Sequence, residues 1–252
     1  MKGVTDHDRL AQLLDSDDPP LDLCLLVVSE ALSGNPEAVT QGLAALASLA
    51  AGVEEPTIDA LVHHLFTVGG FVGDTDDYHS AENSFLDAVL VKRSGMPITL
   101  AAVTIGVGQR VGLGLHGVGM PGHFLVGLDT DPGVFIDPFA GGVRLDVTAA
   151  EARFHRLFGD SSVFDPAMLR PTATPAIVNR VLNNLVRTFA DRDPTRLDRL
   201  IELRVALPGG ADEQQLLIRL AEARGKWDLA ARLAESADPD DPSAPTLRSR
   251  LN

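Results

Sequence analysis

The chain has 252 residues, 45% of them hydrophobic, enough for one large or two modest domains with a real core. Its formal net charge of −14 disfavours sequence-independent binding to nucleic acid or anionic lipid, both of which call for basic surface. No apolar run is long enough to span a bilayer, and a lone cysteine, Cys24, excludes an intramolecular disulfide and a cysteine-built metal knuckle.

Residues 1–20 are polar and end in Asp15-Ser16-Asp17-Asp18-Pro19-Pro20, which reads as a flexible N-terminus. The first six residues carry neither the charged nor the apolar region of a secretory signal, so a cytoplasmic protein is expected. Over 21–65 the pattern is helical. Leu21-Asp22-Leu23-Cys24-Leu25-Leu26-Val27-Val28 reads as a mostly buried helix, broken by Gly34-Asn35-Pro36. Residues 36–51 and 56–66 each begin with proline near a first turn, a helix-start signal. A loop rich in Gly and Asp follows over 69–78. Ser84 and Asp87 have a capping-box-like spacing and open a helix to Arg93. Ser94-Gly95-Met96-Pro97 stops that helix, and a dense apolar helix runs over 98–111.

The period then changes to that of strands, over 115–120, 123–128 and 134–137, with Val143-Arg144-Leu145 as a possible fourth. Asp129-Thr130-Asp131-Pro132-Gly133 is a turn cluster that joins two of them into a hairpin. Pairing Leu128 with Val134 sets Leu125 opposite Asp137. His123 then lies diagonally across from Asp137 on the same face, about 7–8 Å away and within side-chain reach. After Asp146 the chain returns to helix. A Pro/Thr linker over 166–175 is the expected domain boundary. Helices over 176–190, 195–207, 212–224 and 227–235 follow, joined by short loops as helical hairpins are. The Pro/Asp/Ser-rich end is expected to be a disordered tail. The expected domains are therefore 21–165 and 176–236, between a flexible N-terminus over 1–20 and a tail over 237–252.

Several motifs compete for a chemical role. Gly112-Leu113-Gly114-Leu115-His116-Gly117 matches a dinucleotide-type glycine pattern. Its order is helix, glycines, strand, so it reads as a helix cap and turn. His63 and His64 are adjacent on a helix and point apart, which makes them poor co-ligands. Cys24 reads as an inert core thiol. A polar pair in an apolar sheet is costly unless its members satisfy each other, so His123 and Asp137 are either a structural brace or the orienting half of a triad. A metal site would recruit His116, His123 and Asp137, but no third histidine lies nearby; no metal or other cofactor is expected.

Asn83-Ser84-Phe85-Leu86, Arg93-Ser94-Gly95-Met96-Pro97-Ile98-Thr99-Leu100, Pro121-Gly122-His123-Phe124-Leu125 and Ile136-Asp137-Pro138-Phe139-Ala140-Gly141-Gly142 together resemble the SirB-type branch of the transglutaminase-like superfamily. The likeness covers 21–145. Asn183-Asn184-Leu185 and the segment from Gly225-Lys226-Trp227 to Ala230 resemble the tetratricopeptide-like tail of those proteins. The resemblance implies an α+β fold: a mostly helical, papain-like core with a small antiparallel sheet, plus C-terminal helical hairpins. It implies a catalytic Cys at the start of the core helix, a His on the next strand and an Asp on the one after. His123 and Asp137 match the last two. Counting back from Gly112 puts the cysteine position at Pro97, which has no nucleophile. Thr99 is the remaining hydroxyl there.

The leading expectation is a non-catalytic binding or regulatory module with a protein or peptide partner, of unspecified oligomeric state. The alternatives are a hydrolase or acyltransferase using Thr99 or water with His123 and Asp137, and a metal-dependent hydrolase.

Overall fold

The structure is a computed structural model and describes residues 5–190, 192–207, 210–238 and 243–250. The chain divides into two compact units, Pro20–Val181 and Met1–Pro19 together with Leu182–Asn252. The first helix, α1 (Asp6–Leu14), lies where a flexible N-terminus is expected. Thr5 and Asp8 form a reciprocal capping box, and Leu10 is fully buried. A satisfied first turn and one buried anchor outweigh the polar composition.

The larger unit opens with α2 (Leu21–Ser33), α3 (Ala38–Ala51) and the short α4 (Ile58–Val62), which passes into a π-helical turn over His63–Val68. Strand β1 (Val72–Gly73) pairs in parallel with β2 (Ser94–Gly95). Between them lie a 3-10 turn, Ala81–Ser84, and α5 (Leu86–Lys92). The expected capping role of Ser84 is corrected here. Its hydroxyl meets the Met96 sulfur at 3.3 Å, and Ser29 Oγ accepts the Leu86 N–H at 2.9 Å. A buried hydroxyl from another helix has taken over the capping work. Arg93 closes α5 in the left-handed conformation, at φ 61°, with its guanidinium over the Phe71 ring.

Helix α6 (Pro97–Arg110) is the axis of this unit. Every residue from Pro97 to Gly108 is buried, against α2, α3, α5 and the sheet. Each fully buried Ile, Leu or Val contributes about 1.5–3 kcal/mol, so this helix carries much of the stabilisation. Its end is the cap expected of the glycine motif. Gly112 has φ +82°, and the Leu113 N–H reaches the Gly108 carbonyl at 2.9 Å.

Strands β3 (Leu115–Val118), β4 (Leu125–Leu128), β5 (Val134–Asp137) and β6 (Val143–Asp146) form an antiparallel meander in sequence order. Val126 pairs with Ile136 and Gly127 with Phe135, the register in which Leu128 falls opposite Val134. Helix α7 (Val147–Phe158), capped by the Asp146 side chain, packs on β6. Val118, Met120, Leu125, Phe135 and Leu145 join Ala150 and Phe154 of α7, with Leu169, in one apolar cluster. A 3-10 turn over Pro166–Leu169 precedes α8 (Thr174–Phe189), and the division between units falls within α8 rather than in the expected linker.

In the other unit, α9 (Pro194–Arg204), α10 (Ala211–Ala223), α11 (Trp227–Ala237) and α12 (Ser243–Ser249) follow. α10 packs on α11, and α11 on α12. The last helix occupies part of the expected disordered tail. Buried Ala244 and Leu247 are its apolar contacts, while 239–242 and 251–252 lie outside the described residues. Arg204 is fully buried and pairs with Glu213 at 3.4 Å.

Candidate functional site

Gly122, at φ +69°, makes the turn that delivers His123 to the entrance of β4, and the His123 N–H closes that turn on the Met120 carbonyl at 3.1 Å. Asp137 ends β5. The diagonal geometry brings the two together, with His123 Nε2 2.9 Å from Asp137 Oδ2. Asp137 is fully buried and His123 is 6% exposed. A buried carboxylate is costly unless its oxygens are satisfied. Asp137 Oδ1 accepts the Ala140 N–H at 3.1 Å, from the 3-10 turn Pro138–Ala140. Oδ2 also meets Arg153 Nη1 of α7 at 2.7 Å. The pair is therefore a triad of a different composition: His123, Asp137 and Arg153.

Aromatic rings surround it. Phe139 meets the His123 ring edge-on at 6.2 Å, and Tyr78 meets Phe139 edge-on at 6.0 Å. A Cβ on Gly73 would stand 2.6 Å from the Phe139 ring and 2.7 Å from its carbonyl, so the missing side chain in β1 makes room for that ring. The loop that presents Tyr78 is pinned from below. Asp74 accepts the N–H groups of Asp76 and Asp77 and pairs with Lys92 at 3.0 Å. Buried Asn83 donates to the carbonyls of Asp77 at 2.7 Å and Tyr78 at 3.4 Å. The Asp77 N–H and the Lys92 ammonium hold the Asp74 carboxyl at about 2. Burial pushes the Tyr78 phenol up, opposed by the charge of Arg180, and burial pushes the Arg180 guanidinium down. Arg180 Nη2 donates to the carbonyls of Met120 at 3.1 Å and His123 at 2.8 Å.

Thr99, the hydroxyl in the first turn of α6, is fully buried. It donates to the Asn83 carbonyl at 2.7 Å, lies 3.1 Å from the Met96 carbonyl and accepts the Met96 N–H at 3.1 Å. Among the described residues it makes no hydrogen bond to His123. Pro97, at the position implied for the nucleophile, is the buried first residue of α6.

Of the three residues of the metal reading, His123 and Asp137 meet but His116 does not join them. His116 Nδ1 pairs instead with Asp129 Oδ1 at 2.6 Å, over Gly127, beside a cavity of about 330 Å³ lined also by Leu128, Phe135 and Leu169. Among the described residues no group of three or more His, Cys, Asp or Glu side chains could hold a metal ion. Cys24 is buried, and burial, with Asp22 nearby, pushes its thiol up to about 12, as befits an inert core thiol. Among the described residues no helix is long and apolar enough to cross a membrane.

Sequence reasoning missed Arg153, Arg180 and the His116–Asp129 pair. Arg153 did leave a signal. It shares the stripe of Ala150, Phe154 and Leu157 on an amphipathic helix, where a charge needs a buried partner. Arg180, far from His123 in sequence, left none.

A profile of the transglutaminase-like superfamily matches residues 31–183. A "UPF0162 protein" of Xylella fastidiosa strain Temecula1 is 39% identical over 144 residues, 56% of this chain and 50% of that protein. "UPF0162 protein PA3419" of Pseudomonas aeruginosa is 32% identical over 184 residues, 68% of this chain and 66% of that protein. "F-box only protein 21" of Homo sapiens is 29% identical over 108 residues, 39% of this chain and 17% of that protein. The chain spans about half the length of the Xylella relatives it matches. No solved structure matches it significantly. The matched span takes in α6 and the whole meander with His123, Asp137 and Arg153, and on that ground the chain belongs to the transglutaminase-like superfamily.

Proposed function

We propose that this transglutaminase-like domain has given up nucleophilic catalysis and works as a binding or regulatory module for a protein or peptide, in the cytoplasm. The observation that carries this reading is the state of Thr99. Its hydroxyl is spent on three main-chain groups at the start of α6, and its neighbour two positions earlier is Pro97. A nucleophile needs a base within hydrogen-bond reach, and among the described residues Thr99 bonds to none. Arg153 supports the same reading from the other side. It is the charge partner of the buried Asp137, so the carboxylate serves as a bridge between β5, α7 and the His123 turn. The finer affiliation we read as SirB-type, with α10 and α11 as a tetratricopeptide-like hairpin; the Gly225-Lys226-Trp227 turn between them supports it.

One observation favours a second reading. His123 meets Asp137 through Nε2, so Nδ1 is the nitrogen left to activate a water for hydrolysis of an amide or ester. Turnover of a panel of peptide amides and esters by wild type and His123→Ala separates the two. Equal background rates support the module. Turnover that depends on His123 overturns it.

A further inference from the structure

Arg180 differs from three other partly buried cations of this chain, and shares with Arg93, which stacks on Phe71, the lack of a carboxylate partner among the described residues. Arg153 faces Asp137, Arg110 faces Asp22 at 2.6 Å, and Arg204 faces Glu213. Arg180 is half-buried, yet among the described residues no carboxylate pairs with it. Its only hydrogen bonds there go from one nitrogen, Nη2, to the Met120 and His123 carbonyls, and its guanidinium lies over the Phe124 ring at 5.5 Å. Those contacts fix the plane of the guanidinium. Among the described residues Nε and Nη1 make no hydrogen bond, and the side chain is only partly buried. A fixed guanidinium with an open N–H edge and no counter-ion is a fork for a planar oxyanion.

Its surroundings are built rather than incidental. Arg180 holds the His123 carbonyl, His123 meets Phe139, and Phe139 meets Tyr78, so the four residues form a continuous chain of contacts. The loop carrying Tyr78 is locked by Asp74, Lys92 and Asn83. Asp137, the nearest acidic group named in this site, is already satisfied by Arg153, His123 and Ala140. In a chain of net charge −14, a guanidinium fixed on two carbonyls without a carboxylate partner is open to an anion from outside.

We propose that Arg180 and Tyr78 form a subsite for the carboxylate of a bound peptide, beside His123. The guanidinium edge takes the two carboxylate oxygens, Tyr78 donates its O–H to one of them, and Phe139 offers an apolar wall to the neighbouring side chain. This rests on the reading of the domain as a peptide-binding module.

The test uses the full chain at about 20 mM salt, where screening of exposed charge is weak. Tyr78 is the only tyrosine, so ring-labelled tyrosine gives a single NMR signal. The probes are acetyl-Gly-Phe with a free carboxylate, the same dipeptide as its amide, acetyl-Gly-Glu-Gly-amide and inorganic phosphate. The expected result is a saturable shift of the Tyr78 signal with a carboxylate peptide and none with acetyl-Gly-Phe-amide. The first and third probes distinguish a peptide terminus from an acidic side chain as the source. By calorimetry Arg180→Met loses about tenfold or more of that affinity, as expected for a charge-assisted pair. Because Arg180→Met also frees two carbonyls, Tyr78→Phe serves as the second variant; it leaves those bonds intact and loses about three- to tenfold. Binding of neither carboxylate peptide up to about 10 mM, equal binding of the amide, binding of phosphate alone, or unchanged affinity in Arg180→Met each overturns the subsite. None of these outcomes alters the His123-dependent turnover that decides the broader reading, so the two can fail separately.

Discussion

Arg153 and His123 meet at one atom, Oδ2 of Asp137, at 2.7 and 2.9 Å. The sheet supplies the carboxylate, the turn before β4 supplies the imidazole, and α7 supplies the charge that makes burial of the carboxylate tolerable. Removing Arg153 takes away the charge partner of a fully buried carboxyl group. Arg153→Met is expected to destabilise the domain by about 3–5 kcal/mol in urea unfolding, because one partner of a buried pair is stranded. Replacing Asp137 as well, by Leu, recovers part of that loss, and the double-mutant cycle reads the coupling. Additive losses would mean that the pair is not a unit.

Much of this arrangement was legible beforehand. The hairpin register followed from the Asp129–Gly133 turn cluster and the parity of Leu125, Val126 and Leu128, and it set His123 on the side of Asp137. The α6 cap followed from Gly112. What stayed hidden was non-local. Ser84 lost its capping role because Ser29, on another helix, reaches the Leu86 N–H first. The π-helical turn over His63–Val68 has no sequence punctuation of its own. Arg180 and the Met120–His123 turn meet only through folding, so no spacing rule connects them.

Thr99 holds the start of α6 to the Asn83 turn. Thr99→Val removes the hydroxyl and leaves the Met96 N–H and the Asn83 carbonyl without that partner. The expected cost is about 1–3 kcal/mol by thermal or urea unfolding. Thr99→Ser keeps the bonds and costs less. An unfolding midpoint unchanged in Thr99→Val would contradict the capping role.

Cys24 is predicted to be unreactive while the protein is folded. With the thiol pushed up to about 12, almost no thiolate is present at neutral pH, and the side chain is fully buried. A chromogenic disulfide reagent should label it only after denaturation. The linkage has a definite sign. A value raised above the ordinary 9.0 favours the folded state fully below that pH and progressively less as pH climbs towards 12. Cys24→Ala or Cys24→Ser would flatten that alkaline decline. Rapid labelling of the native protein would contradict the burial.

Asp74 predicts the opposite pH response. Its carboxyl is held at about 2, below its ordinary 3.8, by the Asp77 N–H and by Lys92. Its contribution to stability is complete above the ordinary value and is lost as pH falls towards 2. Urea unfolding across that window should show a decline that Asp74→Asn reduces, and the variant should be less stable near neutrality. An identical acid profile in the variant would remove Asp74 from the account of how the Tyr78 loop is held.

The most direct measurement of the central claim is covalent. The protein is incubated with an activated acyl ester such as p-nitrophenyl acetate, and its intact mass and peptide map are read before any hydrolysis of an ester adduct. With Thr99 bonded to Asn83 and Met96, Pro97 at the head of α6 and Cys24 sealed in the core, the account predicts no acyl group on Thr99 or Cys24, and the same mass profile for His123→Ala. A single acetyl group on Thr99 that disappears in His123→Ala would contradict it.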